Sequence, residues 1–169
     1  MLETGTTAPP FSLPGVEADS EFERYQLTDY TSGGVVMLAF YPFDFSPVCV
    51  SELCAFRDAE WLMMREGVDV FGISRDACYA HRRFIEEYNL PFPLLSDVEG
   101  TVTDDYGIRY DEWELHEGVP KRCIFVLDDD RTIRYRWTTE DAYDVPDLYE
   151  VADAIAEIPY VDVNPDELL

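Results

Sequence analysis

Apolar residues along this chain fall into short continuous runs and into segments with helical spacing. The run over 35–41 is apolar throughout and begins with two valines, which is typical of a central strand covered on both faces. The other predicted strands are residues 11–13, 22–27, 68–74, 91–96, 121–127 and 131–138, the last two forming a hairpin. Residues 108–118 are predicted to be a polar loop.

Helical spacing predicts four helices, over residues 47–65, 77–88, 99–106 and 147–157. In the first helix Ser46 is the predicted N-cap and Pro47 the first helical residue, so that Cys49 falls at the third position. The predicted buried stripe of this helix consists of Leu53, Phe56, Leu62 and Met64. Asp76 or Ser74 is the predicted cap of the second helix. Strands that alternate with helices predict parallel pairing and an α/β fold.

The length of 169 residues and the hydrophobic content of 47% fit one domain over residues 1–169. Within it we expect a loop-rich N-terminal arm over 1–33 and a short acidic tail over 159–169. The first five residues form neither a basic nor a long apolar segment, and no window is long enough to cross a bilayer. These features predict a soluble, unexported protein of the cytoplasm that does not bind membranes.

The charge balance excludes some classes of partner. The chain has 36 acidic and 12 basic residues, so that its net charge is −24, which disfavours nucleic acid and anionic membranes as partners. The acidic residues are spread along the whole chain, and this pattern indicates a halophilic surface adapted to a very salty cytoplasm. Such self-repulsion is tolerable there because the Debye length falls to ~3 Å near 1 M salt. The alternative interpretation is a basic protein partner.

Four cysteines without a secretory signal indicate a reducing compartment, where cysteines are more often catalytic or buried than paired structurally. The predicted central strand leads into a loop that places Cys49 at a helix start. The partial positive charge and unpaired N–H groups of a helix start stabilise a thiolate, so Cys49 is the candidate nucleophile. His81 and His116 are too few and too scattered for a metal site, and His81 is predicted to be a half-buried helix residue.

The stretch Phe40-Tyr41-Pro42-x-Asp44-x-Ser46-x-x-Cys49 resembles the peroxidatic signature of the peroxiredoxins, whose fold is thioredoxin-like with a central mixed sheet. Cys54 matches the resolving cysteine of the bacterioferritin-comigratory-protein branch, also called peroxiredoxin Q. The resemblance covers nearly the whole chain. Its other matches are Gly5-x-x-Ala8-Pro9-x-Phe11-x-Leu13, Gly72-Ile73-Ser74-x-Asp76, His81-x-x-Phe84, Phe92-Pro93-Leu94-Leu95-Ser96-Asp97 and Arg122-x-x-Phe125-x-Leu127-Asp128.

The resemblance implies a thiol-dependent peroxidase that reduces hydrogen peroxide and organic hydroperoxides, with a site formed by Pro42, Ser46, Cys49 and Arg122. It implies that Cys49 becomes a sulfenic acid, that Cys54 resolves it as an intramolecular disulfide, and that thioredoxin or a similar dithiol donor reduces that disulfide. No metal, haem or flavin is implied. Ser46 stands where threonine is usual in the family, which keeps the hydroxyl and loses one methyl group. The branch is commonly monomeric, so we expect a monomer or a weak dimer.

Helix geometry makes the Cys49–Cys54 disulfide conditional on movement. In an intact helix, Cα atoms five residues apart are roughly 8–9 Å apart, whereas a disulfide requires less than about 7 Å. The first turns of the helix must therefore unwind during resolution. The alternative for Cys54 is a small buried hydrophobe. Cys78 is a second candidate for the resolving thiol, and Cys123 is predicted to be a packing residue in a strand.

Several other residues have two interpretations each. Glu52 is either a partner that orients the loop or Arg122, or simply an acid at a helix start. Arg57 is either a similar supporting partner or a solvated helix residue. The aromatic residues Phe43, Phe45 and Trp113 either line the rim of the site or serve in ordinary packing. Two alternative functions also remain open, a peroxide-sensing thiol protein without turnover and a general dithiol–disulfide oxidoreductase.

Overall fold

The computed structural model describes residues 1–159. The strands are β1 Ser12–Val16, β2 Glu23–Gln26, β3 Val35–Phe40, β4 Val68–Ser74, β5 Leu94–Ser96, β6 Glu112–Trp113, β7 His116–Glu117, β8 Cys123–Leu127 and β9 Ile133–Thr138. The helices are α1 Thr28–Thr31, α2 Pro47–Asp58, α3 Glu60–Met63, α4 Cys78–Tyr88, α5 Thr101–Asp105 and α6 Leu148–Ala156.

Seven of these strands form one mixed sheet in the order β2-β1-β5-β4-β3-β8-β9. Strands β3, β4 and β5 run parallel, as the alternation of strands and helices predicts. The remaining neighbours pair antiparallel, including β8 with β3. The expected α/β class is therefore confirmed, and β3 lies inside the sheet with all six residues buried. The loop that leaves β3 emerges at the carboxyl edge of the parallel strands.

The alternation of side chains along β3 divides the core into two layers. Met37 and Ala39 face the layer that holds α2 and α6, whereas Leu38 and Phe40 face the layer that holds α5 and the N-terminal arm. Burial of each large apolar side chain stabilises the fold by roughly 1.5–3 kcal/mol. The two layers fix β3 from both sides, and β3 thereby fixes the start of the loop that follows it.

The predicted length of the first helix, residues 47–65, is wrong. It ends at Asp58 because the backbone of Ala59 leaves the helical region (φ −82°, ψ 83°), and a separate turn, α3, follows. The break redirects the chain so that Leu62 is buried. Met64, predicted to be buried in the same stripe, is 78% exposed. Burial of Ala59 and Leu62 in the core is therefore more favourable here than continuing the helix that the sequence spacing predicts.

The predicted cap of the second helix is also wrong. The N-cap of α4 is Ala77, which makes no side-chain capping bond. The Asp76 carboxylate instead accepts hydrogen bonds from the backbone N–H of Asp44 and the hydroxyl of Ser74. The predicted loop 108–118 contains the short hairpin of β6 and β7.

The N-terminal arm is more ordered than expected. Its two predicted strands exist, and β1 pairs with β5, so that the arm extends the main sheet. Of the expected tail, residues 160–169 lie outside the described residues, and the assignment of 1–169 to one domain stays a prediction. Within residues 1–159, none of the helices has the length and apolar character required to traverse a bilayer.

Candidate active site

Local sequence chemistry places Cys49 at the start of α2. Ser46 has an extended backbone (ψ 139°), and its hydroxyl accepts the backbone N–H of Cys49 at 3.4 Å. Pro47 follows as the first helical residue, where its missing N–H has no cost. The predicted cap and the predicted third position of Cys49 are therefore what the structure contains. The Cys49 side chain is fully buried.

Sheet register brings Arg122 to this thiol from 73 residues away. Phe40 at the end of β3 pairs with Cys123 at the start of β8, so the preceding residue, Arg122, lies beside the loop. Its Nη2 lies 3.3 Å from Cys49 Sγ. Its Nε and Nη2 also donate to the carbonyl of Ala142, at 3.1 and 2.8 Å. The guanidinium is 1% exposed, so its charge acts at short range and with little screening.

Glu52 lies one turn along α2 from Cys49 and faces the same guanidinium. Its Oε1 is 3.4 Å from Arg122 Nη1, and both side chains are 1% exposed. The separation is that of an ion pair, but neither carboxylate oxygen accepts a hydrogen bond of good geometry. Burial raises the pKa of Glu52 to about 7, against the opposing effect of Arg122. Of the two interpretations of Glu52, the structure favours the partner of Arg122.

Replacing Glu52 by glutamine is expected to change how stability depends on pH. The pKa of Glu52 rises from 4.5 to about 7 on folding, so between these values the folded state holds a proton that the unfolded state lacks. The contribution of Glu52 to wild-type stability therefore falls as pH rises through this window, by roughly 3 kcal/mol. Urea unfolding of both proteins at pH 4.5 and 8 measures the difference. Parallel pH profiles for the wild type and Glu52→Gln would contradict it.

A cavity of about 200 Å³ is lined by Val48, the residue before Cys49, and by Arg122, which contacts the Cys49 sulfur. Its lining includes Pro42, Ser46 and Arg122, three of the residues predicted to form the site. Three aromatic residues also line it, namely Phe43, Trp113 and Tyr143. The structure thus brings Pro42, Ser46, Cys49 and Arg122 together, with room for a small molecule. Phe45 points elsewhere and packs on Phe84 of α4, with ring centroids 5.0 Å apart.

The other predicted cysteines lie outside this cluster. Cys54 is half-buried in the intact helix α2, and all four cysteines are free thiols. Cys78 Sγ lies 3.3 Å from Ser96 Oγ. Cys123 is fully buried in β8, and burial raises the pKa of its thiol to about 12, as suits a packing residue.

Arg57 is also remote from Cys49. It donates to Asp58 and to the carbonyl of Tyr88, so the supporting role considered for it finds no contact in the site. In the part of the chain that the structure describes, no group of three or more histidine, cysteine or acidic side chains is arranged to hold a metal ion.

Sequence reasoning missed a buried polar network beneath the loop. Asp44 accepts from the Tyr41 hydroxyl at 2.6 Å and lies 2.7 Å from His81 Nδ1. The prediction of a half-buried His81 is wrong, since this side chain is fully buried. Burial raises the pKa of Asp44, and the bonds to His81 and Tyr41 oppose that rise. The available signal was the presence of both Asp44 and His81 in the matched motifs.

The sequence comparisons agree with this geometry. Residues 4–136 match the AhpC/TSA family. A peroxiredoxin of the bcp type from Coxiella burnetii is 40% identical over 139 residues, which are 80% of this chain and 88% of that protein. A chloroplastic peroxiredoxin Q from Sedum lineare is 38% identical over 124 residues, which are 73% of this chain and 62% of that protein.

Solved structures show the same fold. The peroxidoxin BcpB of Mycobacterium tuberculosis superposes with a TM-score of 0.73 at 32% identity, covering 92% of this chain and 96% of that one. A reduced 2-Cys peroxiredoxin of Plasmodium vivax gives 0.81 at 26% identity, covering 90% and 80%. The predicted thioredoxin-like fold and the predicted relatives are confirmed. The chain belongs to the AhpC/TSA family and is a peroxiredoxin.

Proposed function

We propose that this peroxiredoxin reduces hydrogen peroxide and organic hydroperoxides with Cys49 as its nucleophile. The observation that carries the proposal is the contact of 3.3 Å between Arg122 Nη2 and Cys49 Sγ beside a cavity that also includes Ser46. The guanidinium and the start of α2 place positive charge beside the Cys49 sulfur, and such electropositive surroundings are typical of reactive cysteines. The Ser46 hydroxyl and the guanidinium are donors for the peroxide oxygens, while Pro42 forms part of the cavity wall.

In the first step the Cys49 thiolate attacks one oxygen of the hydroperoxide. An S–O bond forms and the O–O bond breaks, so that the sulfur loses two electrons and the other oxygen leaves as alkoxide or hydroxide. That oxygen takes up a proton and departs as an alcohol or as water, and Cys49 is left as a sulfenic acid. Donors aimed at the developing charge lower the barrier because they need no reorganisation in the buried site.

In the second step the Cys54 thiol attacks the Cys49 sulfenic acid, a disulfide forms and water leaves. With α2 intact, these residues are too far apart for that bond. The intact helix with free thiols is the arrangement expected of the reduced form. The start of α2 must then unwind before resolution, and thioredoxin or a similar dithiol donor completes the cycle by reducing the disulfide.

Replacing Cys54 by serine tests the resolving role. The variant should consume one equivalent of peroxide, stop at Cys49 sulfenic acid, and lose turnover in an assay that couples NADPH oxidation to thioredoxin and its reductase. Mass spectrometry of the wild type after one equivalent should find a Cys49–Cys54 link. Cys78→Ser is the matched control and should keep both the link and the turnover. A Cys49–Cys78 link in the wild type would overturn the assignment of Cys54.

The same assay separates the two alternative functions. Oxidation of Cys49 without NADPH consumption would support a peroxide sensor instead of an enzyme. A general dithiol–disulfide oxidoreductase would reduce protein disulfides in the absence of peroxide. Four residues separate Cys49 from Cys54, whereas such enzymes use a Cys-x-x-Cys pair that bridges without unwinding, and this spacing supports the peroxidase.

We also propose that the chain works as a monomer or weak dimer in a reducing, salty cytoplasm. The net charge of −24 supports this setting. Raising KCl from 0.1 M to 2 M should increase the unfolding temperature. The Debye length, over which carboxylates repel one another, falls from about 10 Å to below 3 Å over this range. The increase should shrink at pH 4, where many carboxylates are protonated. An unfolding temperature that is independent of salt at pH 7 would contradict the proposal.

A further inference from the structure

The loop between β3 and α2 is attached to the protein at Asp44, midway between Pro42 and Ser46. The Asp44 side chain is 1% exposed. Its two oxygens have different partners, since Oδ1 accepts from the Tyr41 hydroxyl at 2.6 Å and Oδ2 lies 2.7 Å from His81 Nδ1. The backbone N–H of Asp44 donates to Asp76 at 2.9 Å. Asp44 is thus bonded through both its side chain and its backbone.

His81 connects this loop to two other elements. It belongs to α4 and its Nε2 lies 3.0 Å from the carbonyl of Leu95 in β5. A carbonyl only accepts, so Nε2 carries a hydrogen and Nδ1 faces the Asp44 carboxylate. A hydrogen bond between Nδ1 and Oδ2, which lie 2.7 Å apart, requires one proton between them, on either atom. Removing one member of such a buried pair leaves the other without its partner, which is strongly destabilising.

The next residue of the loop has a strained backbone. Phe45 has φ of +65°, which is unfavourable for a bulky side chain and persists only where surrounding contacts enforce it. Its ring packs on Phe84 and Tyr88, with centroids 5.0 and 6.5 Å away. Both partners belong to α4, the helix that also holds His81. The loop therefore depends on α4 for its closed shape, and release from α4 would also release the strain.

We propose that Asp44 and His81 are a positioning pair that holds the loop closed around Cys49 and sets how readily α2 unwinds towards Cys54. The inference rests on the proposed function, because it concerns the two steps that Cys49 undergoes. In the closed state Pro42 and Ser46 line the cavity and Cys49 is buried. Peroxide is reduced in this state. The disulfide forms only after the loop and the first turn of α2 open.

Weakening the pair has opposite effects on the two steps. The rate constant for Cys49 oxidation falls, because a smaller fraction of the molecules is in the closed state that holds the donors in place. The rate constant for disulfide formation rises with the open population, as for any reaction that proceeds through local opening. A larger open population also shortens the life of the sulfenic acid, so that a second peroxide converts less of it to sulfinic acid. Simple loss of global stability predicts no such opposition.

Asp44→Asn is the test, because asparagine keeps the shape but replaces the charged contact with His81 by, at most, a neutral hydrogen bond from its Nδ2 to His81 Nδ1. Asp128→Asn is the matched control, since Asp128 is also buried and bonded, by backbone N–H groups of Asp130 and Thr132. It follows β8 at the opposite end of the sheet from Cys49. Stopped-flow tryptophan fluorescence gives the two rate constants, and mass spectrometry gives the sulfinic fraction after a peroxide titration.

In Asp44→Asn we expect disulfide formation to accelerate roughly tenfold or more, with slower oxidation and a smaller sulfinic fraction. Asp128→Asn should leave all three unchanged. His81→Gln is the second variant, and the double variant should add little to either single one because the two residues act through one bond. If both variants match Asp128→Asn while the wild type turns over, the positioning role is overturned and the peroxidase stands. If the wild type forms no sulfenic acid at Cys49, the proposed function itself has failed.

Discussion

Cys49→Ser is expected to abolish peroxide-dependent turnover, with kcat/KM falling by roughly 10⁴-fold or more. Serine fits the same buried position, and its backbone N–H can still donate to the Ser46 cap, so the fold should be retained. Its hydroxyl is not ionised at neutral pH, and oxygen cannot take the oxidised state that sulfur reaches as a sulfenic acid. The coupled NADPH assay measures the loss, and circular dichroism checks that the variant is folded.

Cys78→Ser is the matched control for this loss. Cys78 is also a buried thiol at a helix start, because it is the first residue of α4. Its polar neighbour is the Ser96 hydroxyl and not a guanidinium. The two variants therefore differ chiefly in whether the lost thiol had an arginine beside it. Activity retained in Cys49→Ser and lost in Cys78→Ser would move the nucleophile to α4 and overturn the assignment.

Local chemistry made much of the site predictable from the sequence. Ser46 and Pro47 define a helix start through their own backbone preferences, so the third-position placement of Cys49 needed no tertiary information. Strand β4 was predicted over the residues that form it, 68–74, because this run is mostly apolar, as is typical of a parallel strand inside a sheet. The fold followed from the order of such elements.

Tertiary contacts decided what the sequence could not. Helical spacing continues past Ala59, yet the chain breaks there because packing of Leu62 outweighs one more turn of helix. The Asp44–His81 contact joins residues 37 positions apart and depends on how β3 and α4 are placed by the sheet. Neither residue carries a local sign of its partner. Spacing and propensity therefore describe elements well and the polar contacts between elements poorly.

Arg122→Met is expected to lower the rate constant of Cys49 oxidation by roughly 10²–10³-fold. Methionine fills similar volume but removes the positively charged donor that lies 3.3 Å from Cys49 Sγ. Arg122→Lys should also lose activity, since one ammonium cannot reach Cys49 and the Ala142 carbonyl in the same forked geometry. Single-turnover stopped-flow measurements give the rate constant without interference from resolution.

Arg57→Met provides the control for charge. Arg57 lies on the same helix as Cys49, but its side chain bonds to Asp58 and to the carbonyl of Tyr88. Its removal takes away the same positive charge without touching the site. We expect oxidation within about twofold of the wild type, since a half-exposed charge at that distance is screened by solvent and salt. An equal loss in both variants would mean that overall charge, and not the contact with Cys49, drives the reaction.

The combination of Arg122→Met with Glu52→Gln separates chemistry from stability. Removing Arg122 alone leaves Glu52 buried without its partner, which costs roughly 3–5 kcal/mol. Removing both partners avoids that cost, so the double variant should regain most of the lost stability in urea unfolding. It should not regain the oxidation rate, because the donor beside Cys49 is still missing. Recovery of the rate together with stability would show that Arg122 only neutralises Glu52, and the transition-state role proposed for it would then be wrong.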